Sequence, residues 1–349
     1  MKTGFPKKLL AWYRLNARDL PWRRTRDPYK IWVSEVMLQQ TTVAAVIPYY
    51  QRWIKLFPKV EAVAAAPTER ILRAWQGLGD YQRARNLQAA ARVIVRDYKG
   101  KVPRTPEALS ALPGFGPYTT GAVLSIAFDR RVPIIDANIR RVMMRQLGVE
   151  GQAAPAVDTK VRAHLEKIMP VKGNAVFNQA MMELGALVCR SREPLCNICP
   201  VRRTCRAFTT GRQELIPRPK KLTVKQVKAA IAVIRRNGKY LIQRRPDKGL
   251  LAGLWEFPGG KIGPRESARQ ALEREVREET GASLTSAKPW FNVKHYYTQF
   301  CVDLNVWLCT VNGAPRLAPH QKWVDVRKLT EYPMPSGSAK IVEAITHPA

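Results

Sequence analysis

The hydrophobic pattern of the chain changes its period once, and that change limits it to a fold of two parts. From residue 5 to about 205, apolar residues recur every three or four positions, as in EVMLQQTTVAAVIPYYQRWIKLF (35–57). That is the spacing of helices with a buried face. Proline and glycine at Pro58, Pro67, Gly77, Gly79, Gly100, Pro103 and Pro113 cut the stretch into several helices. APTERIL (66–72) and TPEAL (105–109) read as helix starts. Period-two alternation does not persist here, so residues 1–208 are expected to form an all-α domain. Residues 209–227 are polar, basic and proline-bearing, and read as an extended linker. From Lys228 β-branched runs flank Arg-Asn-Gly-Lys (236–239), a hairpin signal. A helix is expected over 265–280, strand residues over 295–311 and a last helix near 336–346. Residues 228–349 therefore read as an α+β domain.

Charge narrows the partner. The 349 residues carry 59 Lys and Arg against 27 Asp and Glu, a net charge of +32. The excess is spread over both parts, +20 in residues 1–217 and +12 in 218–349. A surface this basic repels itself unless a polyanion offsets it, which points to nucleic acid. No apolar run reaches transmembrane length, and no membrane partner is expected. The N-terminal residues carry no apolar segment with a small-residue cleavage site, so a reducing cytoplasm is expected. Cys301 and Cys309 stand alone in an apolar stretch and are expected to be buried thiols.

The other four cysteines, Cys189, Cys196, Cys199 and Cys205, are spaced C-x6-C-x2-C-x5-C. Four thiols this close suit a metal, and zinc and a 4Fe–4S cluster both accept four cysteines. Zinc sites usually show two C-x2-C knuckles, and here there is one. The 6-2-5 spacing resembles the iron–sulfur loop (189–205) of the endonuclease III and MutY superfamily of DNA glycosylases. The arginines between the thiols are candidates to grip phosphate.

LPGFGPYTTGAV (112–123) fits a helix–hairpin–helix turn near 112–122, in which Gly114 and Gly116 permit positive φ and leave N–H groups open to a phosphate. About twenty residues later VPIIDANIRRV holds Asp136 between Arg130, Arg131, Arg140 and Arg141. Together these resemble the Gly/Pro-rich aspartate signature of base-excision glycosylases. Asp136 also reads as a helix cap. Cleaving an N-glycosidic bond builds positive charge on the sugar, which a carboxylate stabilises. Arg140 and Arg141 would then bind flanking phosphates. The departing base needs a proton, and Glu35, the lone carboxylate between Asp27 and Glu61 and set in an apolar helix, is the candidate donor. A Glu in such a place also reads as a structural hydrogen-bonding group.

LPWRRTRDPYKIWVSEVMLQQTTV, GLGDYQRARNL, LPGFGPYTTGAV, IIDANIRRV and FNQAMMELGALVC, in that order and followed by the cysteine loop, resemble the A/G-specific adenine DNA glycosylases, the MutY family. The resemblance implies that Glu35 protonates adenine and activates water. It implies that Asp136 stabilises the oxocarbenium ion, supported by Asn138 and Tyr118. Trp22, Arg23, Leu38 and Glu183 would line the adenine pocket, and Gln39 and Gln40 would wedge into double-stranded DNA as adenine flips out. Relatives that cut the strand carry a lysine where this chain has Tyr118, so a monofunctional glycosylase without lyase activity is expected, acting as a monomer on A:8-oxoguanine or A:G pairs.

GGKIGPRESARQALEREVREETGA (259–282) satisfies the Nudix pattern at Gly260, Glu266, Arg274, Glu275, Val276, Glu278, Glu279 and Gly281. Glu275, Glu278 and Glu279 share one helix face, and Mg2+ is the natural cation to join them. The C-terminal part resembles MutT-like domains that read 8-oxoguanine in this family. Where the family places Phe-Ser-His, this chain has Tyr297, Thr298 and Gln299, and where it places an intercalating tyrosine, this chain has Asp80. Four alternatives accompany the main expectation. They are a domain that also hydrolyses a nucleoside triphosphate such as 8-oxo-dGTP, a helix–hairpin–helix glycosylase for another base, a nucleotide-pool hydrolase with a DNA platform, and a silent lesion binder.

Overall fold

The computed structural model describes residues 4–219, 224–296, 300–313, 315 and 317–347. Contacts divide the chain into two units, Met1–Ala65 with Asn86–Lys221, and Ala66–Arg85 with Leu222–Ala349.

The first unit is helical, as the period expects. Its elements are α1 (Gly4–Asn16), α2 (Pro28–Met37), α3 (Val43–Leu56) and α4 (Val60–Ala65). After α5 (Thr68–Trp75), which belongs to the second unit, come α6 (Tyr81–Tyr98), α7 (Pro106–Ser110), α8 (Pro117–Ala122), α9 (Ala137–Leu147), α10 (Pro155–Ile168), α11 (Asn174–Leu187) and α12 (Arg206–Thr209). Asp27 starts α2 by accepting from the N–H groups of Tyr29 and Lys30, with Pro28 in the first turn. Every residue from Ile31 to Met37 is buried, so α2 runs through the core, and Glu35 goes in with it. Leu9, Ile139, Met143, Phe177, Met181 and Leu184 form the packing centre of α1, α9 and α11. At Gly185 a Cβ would stand 2.5 Å from Asn138 Cβ, so only glycine lets α11 approach α9 this closely.

Between α7 and α8, Gly114 takes φ +77 against Asn86. Gly116 does not take the positive φ expected of it. It caps α8 with extended backbone at φ −76 and ψ 178, and nothing stands within 4 Å of the place of its missing Cβ. After α8 the chain makes one wide π-type turn, Val123–Ala127, and then runs extended to Asp136.

The second unit holds a mixed seven-stranded sheet. Its strands are β1 (Lys225–Arg236), β2 (Lys239–Arg244), β3 (Trp255–Glu256), β4 (Gly259–Lys261), β5 (Leu284–Tyr296), β6 (Phe300–Val311) and β7 (Gln321–Asp325), with α13 (Ala268–Thr280) and α14 (Ser336–Thr346). The order is β3-β2-β1-β6-β5, with β4 on β1 and β7 on β2. Asn237 and Gly238, both at positive φ, close the β1–β2 hairpin as the sequence expects. β1 begins within the stretch read as linker, because β6 pairs with it in parallel from Lys225 to Ile234. α13 starts three residues later than the expected 265, where Ser267 and Gln270 form a capping box. Cys301 and Cys309 are buried. From the segment 66–85, Gln76 Oε1 accepts from the Met334 N–H at 3.2 Å and the Tyr81 hydroxyl donates to the Met334 carbonyl at 3.0 Å. No described helix is long and apolar enough to cross a membrane.

Candidate active site

A cavity of about 150 Å³ in the first unit is lined by Glu35, Leu38, Tyr118, Asp136, Asn138, Trp22, Arg23 and Glu183. Eight residues singled out in the sequence for base excision therefore meet in one place, although α2, α8, α9, α11 and the turn Pro21–Arg23 bring them from distant segments. Glu35 is 4% exposed. Burial pushes its carboxyl up to about 7, and the nearby Asp136 carboxylate adds to the rise, while the Tyr118 hydrogen bond and Arg23 oppose it. The Tyr118 hydroxyl donates to Glu35 Oε2 at 2.5 Å. Burial and the two carboxyls raise the phenol well above its ordinary value, so it stays protonated.

Asp136 both caps and faces the cavity. Its Oδ1 accepts from the Ile139 N–H at 2.6 Å and its Oδ2 from Asn138 Nδ2 at 2.9 Å. Those two donors fix the carboxylate at the N-terminus of α9, where the helix dipole favours its charge.

Glu183, 1% exposed, shows the opposite balance to Glu35. Burial would raise it, but hydrogen bonds from Arg18 and Arg23 outweigh burial and bring it to about 2. Arg18 Nη2 stands 2.7 Å and Arg23 Nη2 2.8 Å from Glu183 Oε2. The sequence reading missed Arg18, and it missed Gln179, Met182 and Ala186, which also line the cavity. The signal was present: 179, 182, 183 and 186 lie on one face of α11. Gln179 Oε1 accepts from the Tyr13 hydroxyl at 3.3 Å. Trp22 is packed edge-on against Tyr50 at 5.4 Å. Gln39 follows α2 and its Nε2 donates to Thr119 Oγ1 at 3.2 Å, and Gln40 is exposed at φ +58.

Arg140 and Arg141, expected at phosphate, are engaged inside the protein. Arg140 forms a two-toothed pair with Asp158, with Nη2 2.7 Å from Oδ2. Arg141 donates to Asn138 Oδ1 at 2.9 Å, to the Gly185 carbonyl at 2.8 Å and to the Cys189 carbonyl at 2.8 Å. Arg141 faces inward because α9 packs on α11 and the cysteine loop, and Arg140 turns to the first turn of α10. The exposed guanidiniums of that loop belong instead to Arg190, Arg192, Arg202 and Arg203.

Cys189, Cys196, Cys199 and Cys205 line one cavity, walled by Val142, Leu184, Val188 and Phe208. Arg145, 1% exposed, donates from Nη1 to Cys189 Sγ at 3.3 Å and to the Arg190 carbonyl at 2.6 Å. Among the described residues no three Cys, His, Asp or Glu side chains converge on one ion.

That holds for the C-terminal carboxylates too. Arg274 lies among them, donating to Glu266 Oε1 at 2.9 Å, Glu275 Oε1 at 2.8 Å and Glu278 Oε2 at 3.4 Å. Glu279 turns the other way, its Oε1 accepting from Gln243 Nε2 at 2.6 Å and its Oε2 from the Gly259 N–H at 2.8 Å. The shared helix face does not bring Glu275, Glu278 and Glu279 to one Mg2+. Asp80 sits at φ +33 with its carboxylate 4.0 Å from Arg83 Nε. Tyr297, Thr298 and Gln299 lie outside the described residues.

Comparison with known proteins places both parts. Residues 33–184 match the HhH-GPD superfamily of base excision DNA repair proteins and residues 229–344 match the NUDIX domain. The chain is 37% identical to the adenine DNA glycosylase of Mus musculus, over 92% of this chain and 74% of that protein. It is 30% identical to the adenine DNA glycosylase of Buchnera aphidicola subsp. Acyrthosiphon pisum, over 98% and 97%. Among solved structures, a thermostable thymine-DNA glycosylase superposes with a TM-score of 0.54 at 31% identity, covering 59% of this chain and 95% of that one.

Proposed function

The chain belongs to the adenine DNA glycosylases, base-excision repair hydrolases that act on N-glycosyl bonds of DNA, and from that premise we propose that it releases adenine paired with 8-oxoguanine or guanine and leaves the strand uncut. The observation that carries this reading is the 2.5 Å hydrogen bond from Tyr118 to a buried Glu35 held near pH 7, in a cavity that Asp136 also lines. The phenol occupies one oxygen of Glu35, and the other carries the proton. That proton passes to a ring nitrogen of adenine as the bond from the sugar to the base breaks and its electron pair leaves with the purine. The Asp136 carboxylate, fixed by Ile139 and Asn138, offsets the charge that develops on the sugar. The Glu35 carboxylate then takes a proton from water, which adds to the sugar carbon and gives an abasic site. Tyr118 offers no amine for a Schiff base, which supports a monofunctional enzyme.

This reading assigns excision to the helical unit and lesion reading to the sheet unit that begins with β1 at Lys225. DNA contacts fall to the turn at Gly114 and Gly116, to Gln39 and Gln40, and to the exposed arginines of the cysteine loop. Cys189, Cys196, Cys199 and Cys205 are proposed to hold a 4Fe–4S cluster. Four thiols around one largely apolar cavity suit a multi-iron cluster, which spreads its thiolates more widely than one ion does. When bound, the cluster would hold the shape of the loop that carries those arginines. The C-terminal carboxylates support a reader rather than a hydrolase, since Arg274 already pairs with Glu266, Glu275 and Glu278.

Single-turnover release of adenine from duplexes with A opposite 8-oxoguanine, G, C and T tests the reading. Release is expected from the first two and not from the others, and borohydride is expected to trap no enzyme–DNA adduct. Equal release from all four duplexes ends the lesion-reading claim, and abundant adduct ends the monofunctional one.

A further inference from the structure

Asn178 is completely buried on α11 and does not line the cavity. Its amide grips the extended segment that delivers Asp136. Nδ2 donates to the Val132 carbonyl at 3.0 Å and to Ser125 Oγ at 2.6 Å, and Oδ1 accepts from the Ile134 N–H at 3.4 Å. Residues 129–136 form neither helix nor strand, yet Ile134 is 1% exposed. Buried backbone groups need partners. Here one side chain serves a carbonyl and an N–H two residues apart, as a neighbouring strand would. Those two opposite demands also fix which way the amide points. Ser125, equally buried, stands in the π-type turn and ties the amide from behind.

The carboxylate of Asp136 is thus held twice. Its own helix caps it through Ile139 and Asn138, and Asn178 fixes the chain's entry two residues earlier. Because α11 also carries Gln179, Met182 and Glu183 into the cavity, the same helix sets both the pocket wall and the approach of Asp136. We propose that Asn178, backed by Ser125, is a positioning residue that sets where the Asp136 carboxylate stands against the sugar. The inference rests on the reading of Asp136 as the sugar-side carboxylate.

Asn178→Asp keeps the shape, still accepts from Ile134, and sets an oxygen against the Val132 carbonyl. Enzyme in excess over A:8-oxoguanine duplex gives the rate of adenine release. A duplex carrying a 2′-fluorinated adenosine, whose glycosidic bond resists cleavage, gives affinity. The rate is expected to fall by about 10- to 100-fold, the scale of a 1 Å misplacement of a reacting group, with affinity close to that of the parent and a melting temperature lowered by the unpaired Val132 carbonyl. An unchanged rate, or a rate that falls only in step with affinity, overturns the proposal. If Asn178→Asp does not fold, Ser125→Ala decides. A several-fold slower release with unchanged affinity supports the proposal, and an unchanged rate sinks it. Asp136→Asn separates the two ideas. If that variant keeps its rate, the site reading itself fails; if it is inactive while Asn178→Asp and Ser125→Ala match the parent, only the positioning role fails.

Discussion

Glu35 on α2 and Glu279 on α13 have nearly the same titration behaviour and opposite surroundings. Burial pushes both carboxyls up to about 7. One oxygen of Glu35 meets a phenol and the group lines a cavity. Both oxygens of Glu279 are taken, one by Gln243 and one by the Gly259 N–H. A displaced pKa supplies a proton near neutrality, and only open space beside it makes the proton deliverable. The helical unit keeps that space, while the sheet unit closes it with its own backbone.

The widest gap is expected between Glu35→Gln and Glu279→Gln. The first should lower adenine release by about 10²- to 10⁴-fold, the usual worth of a positioned acid, and the second should leave it unchanged in the same single-turnover assay. Equal losses would erase the distinction. Next comes Glu183→Gln, which strands Arg18 and Arg23 beside a neutral partner. A loss of about 3 kcal/mol is expected at pH 7, as for a broken buried pair, read by urea unfolding. Its folded value near 2 lies below the ordinary 4.5, so the stabilisation is present above about 4.5 and lost as pH falls toward 2. The gap between parent and variant should therefore narrow in acid.

Glu35 runs the other way. Its folded value near 7 lies above 4.5, so its contribution is full below about 4.5 and lost as pH rises through 7. Glu35→Gln should gain on the parent by about 2–3 kcal/mol between pH 4.5 and 8.5, at 1.36 kcal/mol per pKa unit, and release by the parent should slow above pH 7. The smallest expected effect is none at all, since omitting Mg2+ should leave adenine release as it was. Dependence on Mg2+ would mean that the C-terminal carboxylates take part.

The sequence revealed the parts whose signal is local. The period of three to four gave the helices, Asn237-Gly238 gave the hairpin, and the apolar setting of Glu35 marked it as the candidate donor. What it hid was set by packing between distant segments. Arg141 looks like a phosphate ligand beside Asp136, and only the approach of Gly185 to Asn138 turns it toward Cys189. The face of Glu275, Glu278 and Glu279 is plain from spacing. That Gly259 captures one of the three depends on where β4 meets β1. Arg18 is one basic residue among many until Glu183 arrives from α11.

The parallel pairing of β1 with β6 runs from Lys225–Phe300 to Ile234–Cys309. A ribosome releasing this chain exposes β1 long before its partner exists, as an unpaired edge rich in β-branched residues. Premature termination anywhere in that interval would leave β1 paired only with β2 and β4, its long β6 edge open as a sticky template. Translation of the final third must therefore run to completion before the sheet unit can close on its central strand.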